Sequence, residues 1–413
     1  MRVAQRHYNY HNDECWKGER VSMSQVSAAT ESLQEQLVRF RRKLHEHPEL
    51  SLEEFETTQH IRDFLTDHGI EILDYPLRTG VLAIIRGRKP GPCVAIRADI
   101  DALPILEATG LAYTSQVSGK MHACGHDFHT AAGVGAAVLA KEAADSEESF
   151  AGSILFVYQP AEEVGQGAKI IVDTGVFEDL QVGAIIGEHN NPLQALGTIG
   201  VKSGALMGSV DEFRIVVHGV GGHAAIPELT VDPIVIASQI VSGLQHLVSR
   251  VTSPHDQVVV TVGKFQAGTA RNIIPMEAVL EGTIRSLQPA ARAKVEEHFH
   301  TFVEQTVAAY GGKVTFEFER ILPSVLNDEA TSEVVRAAAV QVVGAENVVE
   351  ASPTLGGEDF ALYQQHLPGC FFWVGTGKPY GWHHPSFDVD ESMLQTTSQV
   401  FVTAALAWLK QHA

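Results

Sequence analysis

Four short, almost wholly apolar runs of this chain each pass directly into a cluster of polar side chains, and this repeated pattern constrains the fold more than any other feature. Cys93-Val94-Ala95-Ile96 runs into Arg97-Ala98-Asp99-Ile100-Asp101, and Ile154-Leu155-Phe156-Val157-Tyr158 into Gln159-Pro160-Ala161-Glu162-Glu163. Val182-Gly183-Ala184-Ile185-Ile186 runs into Gly187-Glu188-His189-Asn190, and Phe371-Phe372-Trp373-Val374 leads through a Gly-rich loop to His383-His384-Pro385. Near-continuous apolar strands alternating with helices describe an α/β fold whose mostly parallel sheet is covered on both faces. Ligand sites in such sheets lie beyond the carboxyl ends of the strands. The four clusters are therefore expected to share one crevice.

The flanking segments fill in the frame. Ser32 with Glu35 resembles a capping box, and Leu33, Leu37, Phe40 and Leu44 recur at helical spacing, which predicts a helix from Thr30 or Ser32 that ends by Pro48. A second helix is predicted from Leu52 to His68, closed by Gly69. From Ser209 the pattern changes. Val210–Val217, Val258–Phe265, Ala278–Ile284 and Lys313–Phe318 read as strands, and Pro233–Val251 and Ala291–Tyr310 as helices. The order β-α-β-β-α-β is that of a ferredoxin-like unit. Because strand-plus-cluster units resume at Gly356-Gly357-Glu358-Asp359, this small domain is an insertion. The expected division is a leader at 1–27, a catalytic domain at 28–208 and 323–413, and an inserted domain at 209–322.

Composition narrows the class. A chain of 413 residues, 45% of them apolar, is long enough for two cores. Its formal charge of −20 provides no basic surface for nucleic acid or an anionic membrane. Cys15, Cys93, Cys124 and Cys370 lack paired spacing, which fits a reducing compartment rather than a disulfide framework. The polar leader has no signal-peptide core, so a cytoplasmic location is expected, and no run is expected to approach the length of a membrane-spanning helix.

The densest chemistry lies in Met121-His122-Ala123-Cys124-Gly125-His126-Asp127-Phe128-His129. In an extended segment Cys124 and His126 would face one side and reach one transition-metal ion; a lone buried Cys is otherwise a small hydrophobe. Glu162 and Glu163, if extended, would point to opposite sides, one toward metal and one toward water, or else form a solvated loop. His189 and one of the adjacent pair His383 and His384 are further candidate ligands. Asp99 and Asp101 suit the orientation of a ligand histidine or direct binding, with Arg97 as an alternative counter-ion. In the insertion, His223 follows the glycine turn Gly221-Gly222, and Arg271-Asn272 would suit a carboxylate or an oxyanion, unless they are simply surface residues.

Together these segments resemble the M20 metallopeptidase superfamily, in its amidohydrolase branch of hippurate hydrolases, N-acyl-amino-acid amidohydrolases and plant auxin-conjugate hydrolases. The marks are Arg42-Lys43-Leu44-His45-Glu46-His47-Pro48-Glu49-Leu50, Arg97 to Ile105, Cys124-Gly125-His126-Asp127, Gln159 to Glu163, Gly222-His223-Ala224-Ala225, Asn272-Ile273-Ile274-Pro275 and Gly356 to Phe360. The resemblance implies a zinc-peptidase-like catalytic domain with a ferredoxin-like lid and dimerisation domain. It implies that Cys124, His126, Glu163, His189 and His383 hold two divalent transition-metal ions, Zn, Mn, Co or Ni. His383 is preferred to His384 because the family's last ligand usually stands two residues before a proline, here Pro385. Glu162 is implied as the general base for a metal-activated water, Asp101 as a residue that supports the metal ligands from behind, and His223 as an oxyanion group reaching into a partner subunit's site. Asn272 and Arg271 would hold the substrate's α-carboxylate. The implied reaction is cleavage of an N-acyl amino acid by a homodimer or homotetramer. The alternatives are a dipeptidase or carboxypeptidase of the same superfamily, a cysteine hydrolase using Cys124 with His126 or His129, and a non-catalytic binding protein. Trp382, where relatives often have Leu, is a departure from the pattern.

Overall fold

The structure, a computed structural model, describes residues 26–413. The leader expected at 1–27 falls almost wholly outside the described residues. The chain enters through α1 (Val26–Glu46), α2 (Phe55–Asp67), β1 (Glu71–Ile72), β2 (Val81–Arg86) and β3 (Lys89–Asp99). It continues through α3 (His126–Asp145), β4 (Ala151–Gln159), α4 (Gly167–Val172), α5 (Val176–Asp179), β5 (Val182–Asn191), β6 (Ile199–Val201) and β7 (Gly204–Met207). An excursion follows, comprising β8 (Ser209–His218), β9 (Gly222–His223), α6 (Pro233–His246), β10 (Val258–Ala267), β11 (Ile273–Ile274), β12 (Glu277–Ser286), α7 (Pro289–Ala309) and β13 (Lys313–Leu322). The chain returns through β14 (Val325–Asn327), α8 (Glu329–Val343), β15 (Val348–Glu350), α9 (Phe360–Tyr363), β16 (Gly369–Gly375) and α10 (Leu394–His412).

Eight strands form one sheet in the order β1-β2-β4-β3-β5-β16-β6-β15. The four apolar runs are its centre: β4, β3, β5 and β16 are neighbours and all parallel. Alternate side chains feed two cores. Val94 and Ile96 of β3 and Ile154 and Phe156 of β4 pack toward α1, α3 and α10, whereas Cys93, Ala95, Leu155 and Val157 pack toward α4, α5 and α9. Burial on both faces is why these strands lack polar alternation. The expected α/β fold with a mostly parallel sheet is the observed one. Its flanks are antiparallel at β1–β2, β2–β4 and β6–β16.

Two helix starts differ from expectation. α1 already runs from Val26, so Ser32 lies inside the helix rather than at its cap. α2 begins at Phe55 instead of Leu52, because Leu52 adopts a left-handed backbone (φ 67) and the Glu49 carboxylate accepts the N–H groups of Glu56 and Thr57.

The excursion is a separate layer with its own core. Its antiparallel sheet, ordered β10-β12-β8-β13, carries α6 and α7 over Phe213, Ile215, Val217, Ile240 and Phe299. This is the predicted ferredoxin-like order. One expectation fails here: Pro233–Val251 is long and apolar enough, by length and composition, to cross a membrane. It is built into the lid, where Ile236, Ala237, Ile240 and Leu244 join the lid core.

Candidate metal centre

The polar clusters meet at the carboxyl ends of the four parallel strands. Cys124 and His126 do so by a route other than the extended one expected. Gly125 takes φ 97 and turns the chain into α3, whose first residue is His126. No side chain fits at this turn, since a Cβ on Gly125 would lie 2.1 Å from Asn190 Nδ2. The turn brings Cys124 Sγ to 3.4 Å from His189 Nε2. His126 Nδ1 lies 3.1 Å from Asp101 Oδ1, and this hydrogen bond leaves Nε2 free to act as a donor to metal. Asp101 also accepts from Ser51 Oγ at 2.6 Å and from the Glu163 N–H at 3.0 Å. Burial works to lower the His126 pKa, but Asp99 and Asp101 raise it to about 10.

Glu162 and Glu163 also depart from the extended picture. Ala161 adopts φ 55, and its carbonyl accepts the N–H groups of Gln166 and Gly167, so the strand ends in a tight turn. Both carboxylates consequently face the same way, 3.9 and 3.8 Å from His126 Nε2. His383 Nε2 lies 3.5 Å from Glu163 Oε2. His384 instead stacks on Tyr380 and accepts the Ser386 N–H through Nδ1. His129 is fully engaged between Asp99 (2.6 Å) and the Asn190 N–H (3.1 Å). His122 is buried without a partner for either ring nitrogen.

Among the described residues, five overlapping groups have ligand atoms within 4.8 Å of one another: Cys124, His126 and His189; Cys124, Glu163 and His383; His126, Glu162 and Glu163; Asp99, His126 and His129; and Glu162, Glu358 and Asp359. The residues fit a metal. His126 Nε2 and Glu163 Oε1 are buried without hydrogen-bond partners, and the set combines a thiol, imidazoles and a carboxylate, the donors that soft and borderline ions take. Burial and nearby carboxylates push Glu163 up to about 7, hold Glu162 well above the usual carboxylate range, and raise the Cys124 thiol. Divalent cations would relieve that repulsion.

Comparison with known proteins points the same way. A family model described as peptidase family M20/M25/M40 matches residues 95–407. The chain is 49% identical over 387 residues to the N-acetylcysteine deacetylase of Bacillus subtilis (strain 168), covering 92% of this chain and 99% of that one.

The chain belongs to peptidase family M20/M25/M40.

Another relative, the IAA-amino acid hydrolase ILR1-like 5 of Arabidopsis thaliana, is 37% identical over 385 residues, covering 90% of this chain and 86% of that protein. Among solved structures, the chain resembles the Bacillus subtilis YXEP protein, described as a dinuclear metal binding peptidase from the M20 family. The TM-score is 0.83 and the identity 45%, over 92% of this chain and 99% of that one.

The lid residues do not join this candidate centre. Strands β9 and β11 pair His223 with Ile273, and Asn272 O accepts the Ala224 N–H, so His223, Arg271 and Asn272 are neighbours. All three are exposed, and among the described residues none shows a hydrogen bond or ion pair to the cluster. Glu358 and Asp359 carry no role predicted from sequence, although their motif is visible there. Both lie beside Glu162, and Arg97 joins them to Asp99 through bonds of 2.8, 3.0 and 2.7 Å. Arg97 is thus the counter-ion of Asp99 but not of Asp101, which is held by Ser51, His126 and the Glu163 N–H. Asn190 was also passed over, an amide beside a candidate ligand being the available signal, and Trp382 stood in the sequence only as a departure from the family pattern.

Proposed function

We propose that this chain is a metal-dependent amidohydrolase that cleaves N-acyl amino acids to a carboxylic acid and a free amino acid. One observation carries the reading: a carboxylate with raised proton affinity, Glu162, stands among five side chains suited to hold metal, in one crevice at the strand ends. The likeness to an N-acetylcysteine deacetylase and a hydrolase of IAA-amino acids supports the substrate class.

Cys124, His126, Glu163, His189 and His383 would hold two divalent transition-metal ions. Such ions supply Lewis acidity and make water nucleophilic near neutral pH. Glu162 accepts the water's proton as the amide carbonyl is attacked, then passes it to the leaving amine. The ionised carboxylate is the form that accepts this proton, and burial with its carboxylate neighbours raises its affinity for the proton until the amine takes it. Asp101 fixes the His126 ring through Nδ1, so that Nε2 presents its lone pair.

His223 would stabilise the developing oxyanion. Its exposure on a lid ribbon without contact to its own chain's cluster supports donation to a partner subunit, in a homodimer or homotetramer. Asn272 and Arg271, on the same ribbon, would hold the substrate's α-carboxylate.

Assaying N-acetyl, N-benzoyl and long-chain acyl amino acids beside dipeptides, before and after chelation, tests this reading. Turnover of N-acyl amino acids that is lost on chelation and restored by Zn, Mn, Co or Ni is expected. Turnover of dipeptides alone would make the chain an exopeptidase instead, and activity in the chelated protein would overturn the metal reading.

A further inference from the structure

Asn190, near the end of β5, joins three segments that carry candidate metal donors. Its side-chain Nδ2 donates to Cys124 O at 2.7 Å, with the amide filling the space where a Gly125 side chain would stand. Its backbone O accepts from His189 Nδ1 at 2.8 Å and from Trp382 Nε1 at 3.0 Å. The bond from His189 Nδ1 fixes the tautomer. His189 therefore presents Nε2 as a lone pair toward the Cys124 sulfur.

Trp382 extends the same connection to the last candidate donor. Its ring packs edge-on against His189, with centroids 5.1 Å apart and planes at 74°. The next residue, His383, is held with φ 63 by an N–H bond to Ala123 O at 2.8 Å. A non-glycine residue at positive φ persists only where its surroundings enforce it. Here the Trp382 indole ties the loop to β5, while the His383 amide ties it to the segment before Cys124. Asn190 Oδ1 remains buried without a hydrogen-bond partner, while the residue's other polar groups are all engaged.

We propose that Asn190 and Trp382 are positioning residues that set Cys124, His189 and His383 from a single point and so preform the metal centre. The inference rests on the reading that these three side chains hold metal. Neither residue needs to touch metal or substrate to act in this way.

Titration of the chelated full-length protein with Co(II) tests the proposal, because a Cys124 thiolate bound to cobalt gives a charge-transfer absorption. Trp382→Phe keeps an aromatic ring and removes the N–H; Asn190→Asp removes the donor to Cys124 O. Each is expected to weaken Co(II) binding by about 10- to 100-fold and to alter the thiolate band, while the Tm of the metal-free protein stays close to wild type. Wild-type affinity and spectrum in both variants would overturn the proposal. So would a loss of affinity fully matched by a fall in metal-free Tm, since that is the result of a merely structural role. If Asn190→Asp does not fold, Trp382→Phe decides. Wild-type protein that takes up no cobalt, or a band that survives Cys124→Ser, would instead refute the metal reading beneath the proposal.

Discussion

Gly125 carries the sharpest constraint on any one residue of the site. Its φ of 97 already disfavours a side chain, and the Asn190 amide occupies the space a Cβ would need. Gly69 has a similar φ of 67, yet nothing lies within 4 Å of its Cβ position. Gly69→Ala should therefore cost only the left-handed strain, about 1 kcal/mol. Gly125→Ala should cost at least about 1–3 kcal/mol more, because the neighbours must also move. Urea unfolding of the two variants checks this, and equal costs would contradict it. The same residue shows what could not be read from sequence. Cys124 and His126 were legible as a donor pair from their chemistry, but not by the geometry that unites them. That geometry depends on a left-handed turn enforced by Asn190, a residue distant in sequence. Glu162 and Glu163 repeat the lesson, since the left-handed Ala161 turns both toward His126 rather than to opposite sides.

At the scale of elements, α1 braces the start of α3. Asp127 follows His126 and accepts from Arg41 Nε at 2.9 Å and His45 Nδ1 at 2.8 Å, while His45 Nε2 lies 3.2 Å from Glu107. Burial works to lower the His45 pKa, yet hydrogen bonds to Asp127 and Glu107 raise it from 6.5 to about 9. A proton held more tightly in the folded chain stabilises it fully below the unfolded pKa, and this contribution is lost as pH rises through about 9. The metal-free protein should thus lose stability on the order of 3 kcal/mol between pH 6.5 and 9. His45→Gln should flatten that decline in unfolding free energy against pH. An unchanged slope would assign the dependence elsewhere. The central strands were legible because burial on both faces leaves continuous apolar runs. Strands β1, β6 and β15, each two or three residues long, leave too little pattern to find, and pairing direction appears only in the folded sheet.

At the scale of the whole molecule, the chain divides its chemistry between two layers. The parallel sheet gathers the donors and Glu162, whereas the lid carries His223, Arg271 and Asn272, which are exposed and, among the described residues, make no hydrogen bond or ion pair to that cluster. Fold class and the order of the lid strands were both legible, since each follows from local periodicity. The proposed meeting of one copy's lid with another copy's crevice would depend on a second chain, which the run of residues does not describe. The central claim is that Glu162 moves a proton at a centre whose metals are held by other side chains. The most direct test measures metal content and kcat together in Glu162→Gln. The account predicts that the variant keeps the wild-type metal content while kcat falls by about 10²- to 10⁴-fold. Retained metals with kcat within about tenfold of wild type would contradict it.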